Sequence, residues 1–371
     1  MPRPRNPFKP TAGATPPLLI GREEPLKWYA RAISIGPGAP GLLTVFTGPR
    51  GIGKTVMLTA VEHIAREHGW VHVSETATPG LLGRIHRQMA THLEELGGSP
   101  QARKPRGATI DGSGVTIQSP SGGYSDWRGT ATELLAALEA RKTGMLITID
   151  EIHAVDRSEL SQLAAGMDHL MHEKRAVSLV VAGLSKPVSD LLNEQGSAFL
   201  RRADRVNLGE LPVPAVHDAL GDTFITSGVN LTDDQLDRAA AATGGYPFLM
   251  QLVGYHVWRR AISGAIVEEQ FQAGIDAATK RLEATVLQAA LSDLSGVDKT
   301  FLLRMAEDDG PTRTAELIAR MGVSDKYVAV YRRRLIDAGV IVAPGRGRVD
   351  FAIPHLRDYL RQHAASLTRR E

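Results

Sequence analysis

The sequence has no cysteine, which excludes disulfides, thiolate nucleophiles and any zinc site built on cysteine. It has no apolar run near the ~18–20 residues needed to cross a bilayer, so no membrane span and no membrane partner are expected. The N-terminus lacks the apolar core of a secretory leader. Residues 1–17 are instead rich in proline and basic side chains, and read as a flexible arm. Together these absences point to the cytoplasm. No internal repeat is present. The histidines His63, His68, His72 and His86 are dispersed without paired ligand spacing, so they read as ordinary surface or core residues.

What remains is a globular composition. At 371 residues, 43% hydrophobic and 23% charged, the chain is long enough for two or three domains. Net charge is only +2 but uneven: residues 310–371 hold 12 Lys/Arg against 6 Asp/Glu, or +6, leaving −4 on the rest. A basic C-terminal module on a mildly acidic body suggests a local anionic partner.

Short β-branched runs alternate with amphipathic stretches through the first half. Strands are predicted over 42–47, 71–73, 145–149 and 177–182, and helices over 55–67, 81–96, 130–139 and 159–172. The Gly/Ser/Pro-rich 97–129 reads as a loop or small hairpin insertion. This order predicts an α/β fold, a parallel sheet covered by helices on both faces. After Pro214 the strand signals stop, and 216–280 reads as mostly helical, broken at Thr243–Pro247.

Gly48-Pro49-Arg50-Gly51-Ile52-Gly53-Lys54-Thr55 satisfies the P-loop pattern at every fixed position and lies between a predicted strand and helix, as its chemistry requires. The glycines let backbone N–H groups turn toward phosphates, and the helix N-terminus adds a favourable dipole. Lys54 is expected to reach the β- and γ-phosphates of ATP, and Thr55 to ligate Mg2+. Leu146-Ile147-Thr148-Ile149-Asp150-Glu151 brings two carboxylates to a strand's carboxyl end, where ligands bind in such sheets. Asp150 is expected to hold magnesium and Glu151 to polarise the attacking water.

With these motifs in hand, 19–354 resembles an AAA+ ATPase of the origin-recognition-like group, bordering the STAND signalling ATPases. The resemblance implies an ATP-hydrolysing core over 18–213 and a helical lid over 214–281. It implies that Ile20-Gly21-Arg22-Glu23-Glu24 helps cradle adenine, that Ser185 is the sensor-1 residue, and that Pro247 of Gly244-Gly245-Tyr246-Pro247 packs near adenine. Phe199-Leu200-Arg201-Arg202-Ala203-Asp204-Arg205 is similar to the family's arginine-finger segment. Arg202 is the best match, with Arg201 and Arg205 as competitors, and the implied partner is another copy or a related ATPase subunit. The usual sensor-2 arginine is not evident at Gly244–Pro247, which tilts the reading toward a slow switch.

The last part, 282–371, has its own pattern. A helix over 312–321, a turn at Gly322-Val323, a helix capped by Ser324 and a hairpin of 340–342 with 349–353 follow the order of a winged helix. Val328, Tyr331, Leu335 and Ile336 face the core in this reading. Lys326, Arg332, Arg333 and Arg334 then form a mostly outward basic surface, with Arg346 and Arg348 on the hairpin tip, suited to DNA phosphates. Three functions stay open: an AAA+ ATPase that loads or remodels DNA or maintains an element, a STAND-like switch whose winged helix is an internal clamp, and a DNA-binding regulator that merely senses nucleotide.

Overall fold

A computed structural model of the protein describes residues 5–11, 19–97, 110–111, 114–115, 127–193, 198–262, 264–292 and 294–367. Helix α1 (Glu23–Ile35) precedes β1 (Leu43–Thr47) and α2 (Lys54–Glu67), then β2 (Val71–Thr76) and α3 (Leu81–Glu95). Two short strands, β3 (Ile110–Asp111) and β4 (Gly114–Val115), pair antiparallel within the predicted insertion. Helix α4 (Trp127–Glu139), β5 (Met145–Asp150), α5 (Arg157–His172), β6 (Val177–Gly183), α6 (Ser185–Asn193) and β7 (Asp204–Asn207) complete the core.

The main sheet has five parallel strands in the order β2-β5-β6-β1-β7. Every residue of β6 is buried, as is β5 up to Ile149, which is why both read as mainly apolar runs rather than alternating ones, with only Thr148 and Ser178 as polar members. β6 lies between the strands that deliver the two motifs, so its carboxyl end sits between the P-loop and Asp150-Glu151. The edge strand β7 alternates half-buried and exposed residues and contains one aliphatic side chain, Val206. It carries too little apolar signal to be read as a strand.

The helical region expected to act as the lid contains α7 (Val213–Thr226), α8 (Asp233–Thr243), α9 (Pro247–Arg260) and α10 (Glu268–Leu282). Thr232 and Gln235 form a reciprocal cap at the start of α8, and Pro247 occupies the first turn of α9, where a missing N–H does no harm. A π-turn, Glu283–Leu287, continues α10 into α11 (Gln288–Ser292). The C-terminal module follows: α12 (Gly296–Met305), β8 (Thr312–Arg313), α13 (Thr314–Met321), α14 (Asp325–Asp337), β9 (Ile341–Val342), β10 (Arg348–Phe351) and α15 (Leu356–Leu367). Its sheet has the order β8-β10-β9, antiparallel. Thr312 and Arg313, expected to open a helix, form β8 and pair with β10 instead. Ser324 caps α14 as expected, accepting from the Tyr327 N–H at 3.3 Å. No helix among the described residues is long and apolar enough to cross a membrane.

One apolar cluster runs from a face of the sheet through the lid into the module, from Phe46 and Val180 through Phe224 and Leu249 to Leu317 and Leu335. The N-terminal stretch expected to be free joins it. Phe8 is 2% exposed, tilted against Phe224 at 5.0 Å between ring centroids. The Lys9 N–H donates to Gln251 Oε1 at 3.0 Å and Asn6 Nδ2 to the Tyr255 carbonyl at 3.2 Å. Burying one phenyl ring contributes about 2 kcal/mol, while ordering each residue costs about 1–2 kcal/mol. The arm therefore needs those hydrogen bonds as well as its anchor.

Candidate functional site

The segment Gly48–Gly53 leaves β1 and turns into α2. Gly53 is left-handed (φ +98°) at the N-cap of α2. Gly51 (φ +71°) is held from above by Tyr246, whose hydroxyl would lie 1.8 Å from a Cβ built there. Only glycine fits that close approach. The Tyr246 hydroxyl donates to the Arg50 carbonyl at 2.8 Å, and burial pushes its pKa well above the ordinary value, so it stays a donor. The turn before Pro247 thus fastens lid to P-loop.

Lys54 is 6% exposed. Its ammonium donates to the carbonyls of Gly48 (3.1 Å) and Pro49 (2.9 Å). Burial lowers its pKa, while Glu151 and Asp150 act in the opposite direction. The Thr55 hydroxyl donates to Asp150 Oδ2 at 2.6 Å, and Asp150 Oδ1 accepts from the Glu151 N–H at 2.8 Å. The two motifs, far apart in sequence, therefore meet side chain to side chain.

A cavity of about 640 Å³ opens over the loop. Arg50 to Met57 and Glu151 line one side; Ile20, Arg22, Leu211, Pro247, Phe248 and Met250 line another. The lining combines apolar side chains with the cations Lys9, Arg22, Arg50, Lys54 and Arg281 against the single carboxylate of Glu151. Arg22 donates to the carbonyls of Gly209 (2.5 Å) and Ile52 (3.5 Å), joining the Gly21–Glu24 segment to the loop. Lys9, Pro10 and Thr11 also reach the cavity, which their composition did not suggest. Arg281, at the end of α10, enters from the lid together with Thr285 and Val286 of the π-turn. No motif marks it. Its place follows from helix packing, and it brings a cation from a helix other than the one where a sensor-2 arginine is usual.

Ser185 begins α6, two residues beyond β6, and is exposed, its hydroxyl 3.3 Å from Asn207 Oδ1. Thr47 donates to the same Asn207 oxygen at 3.3 Å, so Ser185 lies beside the strand end that leads into the P-loop. Arg202 sits on the turn before β7, exposed, 3.5 Å from Asp168 of α5. It does not line this cavity.

Of the basic residues expected on the outward face of α14, Lys326, Arg333 and Arg334 are exposed. Arg332 is half-buried, with its Nε unpartnered. Arg333 lies 3.4 Å from Asp190 of α6 and 3.8 Å from Asp337. Arg334 lies 3.2 Å from Asp298, a fully buried carboxylate that also caps α12. Arg333 and Arg334 are nevertheless exposed, so they point outward while carrying carboxylate neighbours from α6, α12 and α14 itself. Lys326, Arg346 and Arg348 are exposed.

Residues 18–181 match the family model described as AAA ATPase domain, and 284–360 match one described as Domain of unknown function (DUF8462). No curated protein matches the chain. It is similar to a solved Walker-type ATPase of Pyrococcus abyssi at 14% identity and TM-score 0.64, covering 92% of this chain and 96% of that one. It is also similar to the ORC2 protein of Aeropyrum pernix, solved in ADPNP–ADP complexes, at 14% identity, TM-score 0.64 and 97% coverage of both chains. Cdc6p of Pyrobaculum aerophilum matches at 15% identity, TM-score 0.50 and 97% coverage of both. At such identities the structural likeness carries the fold. It shows an AAA+ fold of the Orc/Cdc6 type, and the match to the AAA ATPase domain model spans residues 18–181.

Proposed function

We propose that this chain binds and hydrolyses ATP at the junction of β1, β5 and the lid. The observation that carries the reading is the convergence of Lys54, Thr55 and Glu151 on one cavity edge, with Asp150 hydrogen-bonded to Thr55 behind it. The cationic lining suits a triphosphate and the apolar wall at Ile20, Pro247 and Phe248 suits a base. Thr55 and Asp150 offer hard oxygen donors 2.6 Å apart, which fits magnesium. When bound, the metal would neutralise charge on the phosphates. The chain's own contribution is to position. Backbone N–H groups of 50–55 cradle phosphate oxygens, Lys54 exchanges its loop carbonyls for phosphate, and Glu151 orients and polarises water. Ser185, with Asn207 beside the end of β1, would offer a polar contact to the γ-phosphate or water. Arg202 would act on a neighbouring subunit's site, since it does not line its own cavity. The test is calorimetry and turnover on Lys54→Ala and Glu151→Gln, with loss of binding expected in the first and loss of turnover alone in the second.

For the C-terminal module, the order of helix, helix and hairpin over a three-stranded sheet supports a winged helix. Exposed Lys326, Arg346 and Arg348 support contact with DNA phosphates, in keeping with the module's surplus positive charge. A second reading rests on a specific contact: α14 is seated on α6 of the ATPase core through Arg333–Asp190, and Leu184 lies against Gly339 just beyond α14. That favours an internal clamp. Gel shift and basal turnover measured on the same variants separate the two. A site in the cytoplasm remains part of the proposal.

A further inference from the structure

Glu151 stands at a backbone position that does not hold itself. Its conformation is left-handed (φ +53°, ψ +36°), a region that costs a non-glycine residue roughly 1–3 kcal/mol and persists only where surroundings enforce it. Its side chain is 44% exposed and so is free to turn unless a partner fixes it. Among the described residues, the one side chain within ion-pair distance of its carboxylate is His153, whose Nε2 lies 3.3 Å from Glu151 Oε2.

His153 is itself fixed. It lies on the 3-10 turn Ile152–Ala154, with 18% of its side chain exposed. Its Nδ1 accepts from the Leu184 N–H at 3.4 Å. A side chain at Gly183 would meet that Nδ1 at 2.9 Å, so the strand end is shaped to receive the ring. Since Nδ1 is an acceptor, the neutral ring carries its proton on Nε2, facing Glu151. Burial, the largest influence, lowers the ring's pKa, opposed by Glu151 and Asp150 and reinforced by Lys54 and Arg50.

We infer that His153 is a positioning residue for hydrolysis: its Nε2–H holds one oxygen of the Glu151 carboxylate so that the other is presented to the attacking water. The inference rests on the ATPase reading above. It also gives β6 a further role, because Leu184 closes the strand lying between the two motifs and fixes the ring's tautomer.

The test compares His153→Ala and His153→Gln with wild type, Lys54→Ala and Glu151→Gln, measuring ATP affinity and kcat separately. Misplacing a reacting group by about 1 Å costs up to about 100-fold. His153→Ala is therefore expected to lower kcat by about tenfold or more, with ATP affinity within about twofold of wild type. His153→Gln, whose side-chain amide can again donate toward Glu151, is expected to recover most of the loss. A merely structural histidine would move affinity and thermal melting together and would not be rescued by the amide. Wild-type or raised kcat in His153→Ala overturns the inference, as does a glutamine variant that folds and is no better than alanine. If turnover depends on Lys54 and Glu151 but not on His153, the inference alone falls. If wild type shows no Lys54-dependent turnover, the ATPase reading falls and takes the inference with it.

Discussion

The phosphate loop at the start of α2 and helix α14 both carry positive charge, yet they use that charge differently. Around the loop, Lys54 and Arg50 line an open cavity with one carboxylate facing it, and Lys54 donates only to carbonyls of its own loop. On α14, Arg333 and Arg334 already face Asp190 and Asp298. Positive charge left without a counter-charge is ready for an anionic ligand; positive charge matched within the chain holds elements together. Residue type does not distinguish the cases, and the partners do.

The largest expected effect tests the first half of that contrast. Lys54→Ala removes the buried cation proposed to meet the phosphates, and ATP affinity should fall by about 100-fold or more, as truncating a buried charged partner costs 2–5 kcal/mol or more. Calorimetry returning wild-type affinity would show that the loop is not a phosphate site. Glu151→Gln should keep affinity and lower turnover by about 1,000-fold, the middle of the range for a positioned base. Equal turnover in mutant and wild type would remove Glu151 from the chemistry. Arg202→Ala comes next: turnover should fall by about 100-fold, in assembled protein only, as for loss of one transition-state donor. Mixing it with Lys54→Ala protein should restore part of the activity, because the Lys54→Ala subunit still offers an intact Arg202 to a neighbour. No recovery in a confirmed mixed assembly would count against action between subunits.

The same contrast explains what was legible in the sequence. The P-loop is contiguous and its geometry is enforced locally, so eight consecutive residues predict both element and chemistry. The strands that read clearly, β1, β5 and β6, are mostly buried and mostly apolar. β7 escaped because an edge strand with alternating exposure offers only Val206 as a signal. His153 and Arg281 escaped for another reason. Their roles depend on what the fold places opposite them, Leu184 and Glu151 in one case and the loop in the other. The N-terminal arm is a similar case: its composition is that of a mobile segment, and Phe8 is fixed only because α9 presents a glycine, Gly254, against which the ring packs. The arginines of α14 were read outward from helical spacing, which cannot reveal carboxylates on α6 and α12.

The smallest expected effect bears on the second half of the comparison. Arg346→Ala with Arg348→Ala removes two exposed cations from the hairpin between β9 and β10. If they contact phosphates, DNA affinity should weaken for all sequences alike, and the log–log salt dependence should flatten by about 0.9 for each lost contact. Basal ATP turnover should be unchanged, because the hairpin tip lies away from the cavity lining. Arg333→Ala should behave differently. Its pair with Asp190 is largely exposed and worth at most about 1 kcal/mol, so folding should be nearly unaffected. That pair is nevertheless one of the contacts seating α14 on α6, whose first residue follows Leu184. A change in basal turnover of up to about fivefold, without DNA, is what 1 kcal/mol can produce through that seat. The two variants thus read two surfaces of one module. Altered salt dependence in the hairpin variant with unaltered turnover would support a DNA-facing module. Altered turnover in Arg333→Ala, with wild-type DNA affinity in both, would reject the DNA assignment and leave α14 as a clamp on the ATPase core.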